Sequence, residues 1–287
     1  MNIFEQVTAR IMELLEAGTV PWKKPWSSTG GARNLVSNKP YRGINQFLLN
    51  SSPYSSPYWL TFNQARQKGG SVNKGEKSTP VVFWKWLDRK AVPDEDDNSA
   101  SSKIPLLRYY NVFNLDQIDG ITAPVEEQPV NPFSPIEQAE LIIRNMPQRP
   151  YILYGGDRAC YSPMLDSVKL PNREAFKSPE EYYSTAFHEL AHSSGHSSRL
   201  SRKGVVEPSY FGSHDYSQEE LVAEFGASML CGFAGIEHQT IENSAAYIQG
   251  WLKVLKNDQK LAIMAAGQAQ RAADFILNVQ HTDDQQP

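Results

Sequence analysis

The chain has 287 residues, 40% of them hydrophobic and 21% charged, a balance that excludes a disordered or fibrous protein and allows one large domain or two of ordinary size. No apolar run reaches the ~20 residues of a membrane helix, and the two cysteines, Cys160 and Cys231, stand far apart in no paired motif, so no disulfide framework is expected and both read as buried thiols. The net charge of −4 is unevenly divided: residues 1–120 hold 15 Lys and Arg against 11 Asp and Glu, residues 121–287 hold 13 against 21, and residues 20–90 hold 12 against two. This is a basic module joined to an acidic one.

The N-terminal stretch places Ile3, Phe4, Val7, Ile11, Leu14 and Leu15 at helical spacing with acidic residues between them. It reads as an amphipathic helix rather than a signal peptide, which predicts a cytoplasmic protein with no membrane partner. From 20 to 90, turn-rich and aromatic segments alternate. Pro80 to Leu87 is dense in β-branched and aromatic residues and predicts a strand, with Arg108 to Phe113 as its partner and the acidic, serine-rich 91–103 as the loop between them.

Five of the six tryptophans (Trp22, Trp26, Trp59, Trp84 and Trp86) fall in this basic stretch. Single-stranded nucleic acid requires cations along its phosphates and flat faces for its bases, and each stacked base contributes about 1–3 kcal/mol. The candidate contacts are Trp22, Lys23, Lys24, Trp26, Tyr41, Arg42, Asn45, Trp59, Lys74, Lys77, Trp84 and Lys85. Some of these rings must instead form the core of a small domain.

Four prolines in 122–135 mark a linker between an N-terminal domain, 1–121, and a C-terminal one, 136–287. The second domain opens with a helix, IEQAELIIRNM, followed by strand candidates at 151–154 and 159–162. Ser178, Pro179 and Glu181 signal the start of a further helix, with Gly195 as its C-terminal cap. Another helix is expected to begin near Ser217, and two more between 244 and 279. The fold class is α+β, with a small mixed α/β N-terminal domain.

On the helix after Ser178, His188 and His192 are four residues apart, so both imidazoles project from one face toward a single ion. Zinc lowers the pKa of a coordinated water toward ~7, and Glu189 is placed to take its proton, which makes a hydrolytic half-site. A metzincin third ligand is excluded because its position holds Ser198. Glu220 and Glu224 share one face of the next helix, EELVAE. That arrangement resembles the gluzincins, and the resemblance implies Glu220 as third ligand and Glu224 as hydrogen-bond partner of a ligating histidine. Ser217 and Glu220 also have capping-box spacing, which would leave Glu224 as the ligand. Tyr210, His214 and Tyr216 precede this helix as candidate oxyanion stabilisers, or as ordinary loop residues.

The segments PWKKPW, YRGINQFLL, YWLTFNQARQKGGSVNKGEKSTPVVFW and YYNVFNLDQI, followed by FHELAHSSGHSSRL and EELVAEFGA, resemble the ArdC-type antirestriction family. Its first domain is similar to the N-terminal domain of TraC-type plasmid primases. The resemblance covers nearly the whole chain in the same order. It implies an N-terminal domain that binds single-stranded DNA and a C-terminal zincin-like metallopeptidase domain of gluzincin type. One divalent ion is implied, zinc first and manganese as the alternative, with a host protein as candidate peptidase substrate. The expected role is protection of incoming conjugative plasmid DNA from host restriction.

Overall fold

The computed structural model describes residues 2–23, 31–88, 103–124, 134–207, 210, 213–236 and 245–280, without the side chains of 23, 84–88, 103–106 and 245. The expected linker residues 125–133 and most of the 91–103 loop therefore lie outside the described residues.

Helix α1 (Ile3–Glu16) is capped by Asn2, whose side chain accepts from the Glu5 amide while Glu5 reaches back to the Asn2 amide. Its apolar stripe buries Val7, Ile11 and Leu15. A single 3-10 turn (Pro21–Lys23) leads to a sheet built from β1 (Arg33–Asn34), β2 (Tyr58–Thr61), β4 (Thr79–Asp88) and β5 (Lys103–Asn114), in the order β1-β2-β5-β4. Helices α2 (Ile44–Asn50) and α3 (Phe62–Gln67) flank β2 in the chain, and β3 (Ser71–Val72) pairs with β6 (Ile118–Asp119). β4 and β5 form a long antiparallel ribbon from Thr79↔Val112 to Asp88↔Lys103. Pro80 is tolerated because β4 is an edge strand.

The C-terminal half begins with α4 (Pro135–Asn145), capped by Ser134. The short strands β7 (Tyr151–Tyr154), β8 (Cys160–Ser162) and β9 (Ser167–Leu170) form a sheet in the order β7-β9-β8. β9 lacks a long apolar run and was not expected. Cys160 on β8 is exposed, which corrects the expectation of two buried thiols; Cys231 is buried.

Helices α5 (Pro179–Ser193), α6 (Lys203–Val206), α7 (His214–Ala234), α8 (Ala245–Asn257) and α9 (Leu261–Ile276) follow among the described residues. α7 is the central helix, packed on α5 and α9 and buried nearly continuously from Leu221 to Cys231. At Gly226 a Cβ would stand 3.0 Å from the Cβ of Ala191, so glycine there permits α5 and α7 to approach closely. That approach sets EELVAE beside the two histidines.

The two halves do not keep separate cores. One apolar cluster combines Val7, Ile11, Leu15, Val20, Trp22, Phe47 and Val82 with residues of α4, α5, α7, α8 and α9. Two smaller clusters, around Trp59 and around Leu60, belong to the N-terminal sheet alone. Polar ties follow the same seam: Thr8 Oγ1 donates to the Gln259 carbonyl (2.7 Å), the Gly43 amide donates to Gln270 (2.9 Å), and Arg42 pairs with Asp274.

Candidate metal centre

Ser178 accepts from the Glu181 amide and Pro179 occupies the first helical position, so α5 starts where the sequence predicts. Its end differs. The C-terminal cap is Ser194, and Gly195 is required for another reason: a Cβ there would lie 2.5 Å from Val205 and 2.9 Å from the Arg202 guanidinium.

His188 and His192 project from one face of α5 with their Nε2 atoms 3.1 Å apart. Glu220, from α7, places its carboxylate oxygens 3.6 Å from His188 Nε2 and 3.7 Å from His192 Nε2. Among the described residues these three are the group whose donor atoms lie within 4.8 Å of one another. Ligands about 2.0–2.1 Å from a tetrahedral ion stand roughly 3.3–3.5 Å apart, so the donor set fits a divalent cation and leaves a position open.

The capping-box alternative for Glu220 is overturned. α7 begins at His214 with Ser213 as its cap, so Ser217 is interior and Glu220 lies in the second turn. His214 and Tyr216, expected in a loop, form the first turn of this helix.

Electrostatics favour a cation here. Burial pushes His188 down, but the Glu220 hydrogen bond and the charges of Glu224 and Glu189 outweigh it and raise the imidazole to about 9. For Glu220, burial raises the pKa, yet His188 and His192 hold it at about 2. Glu189 is buried at 6% exposure, and its charge acts on both His188 and Tyr216.

Glu219 was missed by the sequence reasoning. Its carboxylate accepts from His192 Nδ1–H at 3.2 Å, while Arg202 donates to the same carboxylate at 2.9 and 2.6 Å. Arg202 also donates to Ser194 Oγ and to the Ala191 carbonyl, both at 2.7 Å. Successive helical positions turn by about 100°, so Glu219 and Glu220 address different nitrogens of the same imidazole. The signal available was the Glu-Glu pair itself. Its cation lies 17 residues away and had no local signature.

Glu224 is buried and hydrogen-bonds the Tyr247 hydroxyl. Tyr216 hydrogen-bonds Glu220; burial first, then the Glu220 and Glu189 charges, push its phenol to about 12. His214 is engaged with Asp258 (2.8 Å), and Tyr210 is 84% exposed.

The nucleic-acid candidates are scattered. Trp22 and Trp59 are each 1% exposed, and Tyr41 and Asn45 each 4%, which corrects their assignment as contact residues: a buried ring offers no face to a base. Asn45 instead completes the β4 backbone, donating to the Val82 carbonyl and accepting from its amide at 2.8 Å each. Arg42 is occupied by Asp274, whereas Lys74 and Lys77 are exposed. Lys24 and Trp26, and the side chains of Lys23, Trp84 and Lys85, lie outside the described residues. The exposed aromatic and basic groups of this half include Phe62, Arg66, Lys68, Arg108, Tyr109 and Tyr110, none of them among the candidates.

Comparison with known proteins places two family models on the chain: the N-terminal domain of the anti-restriction factor ArdC over residues 1–113, and a zincin-like metallopeptidase over 137–268. A crystal structure of the ArdC antirestriction protein of plasmid R388, metal-free, matches 98% of this chain and 100% of its own with a TM-score of 0.73 and 35% identity. Its Mn(II)-bound form matches 97% of this chain and 98% of its own at 0.74 and 33%. A DNA primase named TraC from Escherichia coli is 38% identical over 95% of the chain, but the chain spans only 27% of that primase's length. An uncharacterized protein, y4eC of Sinorhizobium fredii, is 35% identical over 99% of this chain and 94% of its own.

Proposed function

Because the chain belongs to the ArdC antirestriction family, we propose that it binds single-stranded DNA through its N-terminal half and hydrolyses a host protein at the α5–α7 cleft, shielding incoming conjugative DNA from restriction. His188, His192 and Glu220 would hold one divalent ion, zinc or manganese. Such an ion acidifies water and polarises a peptide carbonyl. Glu189 takes the proton of the attacking water and returns it to the leaving amine. Tyr216 keeps its proton at neutral pH, so it can donate to the developing oxyanion once its hydroxyl leaves Glu220. Glu219 and Arg202 hold the His192 ring in the tautomer that turns Nε2 toward the cleft.

The observation that carries the hydrolytic part is Glu189: a buried carboxylate beside the histidines that a purely structural ion would not need. On the DNA side, Arg108 and Tyr110, which share one face of β5, with the exposed Lys74 and Lys77, take the place of the buried rings as contact residues. A second reading is a non-proteolytic DNA-binding protein whose ion braces the fold, favoured by the core that both halves share.

Glu189→Gln distinguishes these readings. Plasmid transfer into a restricting host is measured alongside the metal content of the purified variant. Loss of protection by a metal-loaded, folded variant is the expected result. Full protection would remove hydrolysis from the function and leave the second reading.

A further inference from the structure

Trp22 belongs to the N-terminal half by sequence, yet its indole lies under the metal helices. Its ring packs against Phe225 of α7 at 5.1 Å and Trp251 of α8 at 6.1 Å. Its Nε1–H donates to the Tyr247 hydroxyl at 3.1 Å. Tyr247 in turn hydrogen-bonds Glu224, a buried carboxylate whose charge acts on His188.

The direction of this chain is fixed by chemistry. An indole N–H can only donate and a carboxylate can only accept. Trp22, with the Trp251 indole beside it, therefore donates to the lone pairs of the Tyr247 oxygen, and the single Tyr247 proton is turned toward Glu224. Bonds in such a series polarise one another and restrict the carboxylate at its end.

We infer that Trp22 and Tyr247 are positioning residues of the metal centre, acting through Glu224 on His188, so that the N-terminal half helps to set how tightly the ion is held. The inference rests on the reading of His188, His192 and Glu220 as the ligand set. Partners one shell beyond the ligands typically change metal affinity by about 10–100-fold, and these two lie a step further out, at the lower end of that range. Family members that keep the metal helices but lose the indole would bind the ion less tightly.

The test is calorimetric titration of the full chain with Mn2+ alone. Trp22→Phe and Tyr247→Phe are expected to weaken binding by roughly tenfold each, with the double variant no weaker than about the stronger single one. In a Glu224→Gln background, Trp22→Phe should add nothing further. Phe47→Leu is the control: Phe47 packs on the same Phe225 at 4.6 Å with no polar link, so it should lower the melting temperature and leave Mn2+ affinity unchanged. Tyr247 is only partly buried, so its variant remains measurable if Trp22→Phe folds poorly. Undiminished Mn2+ affinity in the single variants would overturn the inference. So would an equal loss in Phe47→Leu, which would reduce the effect to packing. If His192→Ala binds Mn2+ like the wild type, the ligand set itself is wrong, and the inference falls for that separate reason.

Discussion

The two sides of α7 are built on opposite principles. Toward α5 it presents Glu219 and Glu220, which with His188, His192 and Arg202 make a cluster of charges at low exposure. Toward α2 and α8 it presents Phe225, locked between Phe47, Trp22 and, through Trp22, Trp251. The first side is held by directed contacts in which the loss of one partner strands another. The second is held by shape and area, where neighbours can adjust. A metal-binding geometry thus stands on an apolar floor, and part of that floor comes from the other half of the chain.

The largest expected effect tests the charged side. Arg202→Met leaves the Glu219 carboxylate buried without its cation and should cost about 3–5 kcal/mol, read from the denaturant midpoint. A loss no larger than that of the exposed Arg10–Glu13 pair would mean that solvent reaches the cluster and that the two sides of α7 are held alike. Next is the DNA surface. Tyr110→Ala, at 48% exposure, should weaken single-stranded DNA binding by about 1–3 kcal/mol while leaving the melting temperature nearly unchanged. The opposite pattern would put Tyr110 with the core rings.

The last effect is a pH dependence. In chelator-treated protein, the raised His188 contributes stability that is complete below about 6.5 and lost as pH rises through about 9. The lowered Glu220 contributes stability that is present above about 4.5 and lost as pH falls through about 2. The pair therefore helps most between about pH 4.5 and 6.5. Metal binding needs the neutral imidazole and should strengthen through the same upper window in which the metal-free protein weakens. Melting curves with and without Mn2+ that run parallel from pH 6 to 9 would show that His188 is not where the ion and the proton compete.

Legibility in the sequence followed the range of the interactions. The four-residue spacing of His188 and His192, the Ser178 start signal and the α+β order are local, and they could be read directly. Glu220 needed only one further helix. That helix is capped four residues before the expected Ser217, because Ser213 and Ser217 offer equivalent caps and only packing selects between them. Trp22, Tyr41 and Trp59 could not be sorted from surface aromatics, because burial depends on partners from other elements: Phe225, about 200 residues distant, for Trp22, and Leu49, Val81 and Val112 for Tyr41 and Trp59. Arg202 was silent for the same reason.

The shared core has a consequence for heredity. A protein whose halves each kept a private core could exchange one of them by recombination and still fold. Here a crossover near 122–135 would join surfaces shaped for different partners, with Trp22 facing a foreign helix. The longer TraC primase and the similarly sized y4eC protein each match at least 95% of this chain, both halves together. In both relatives the two halves stay together, as a core built from side chains of each requires.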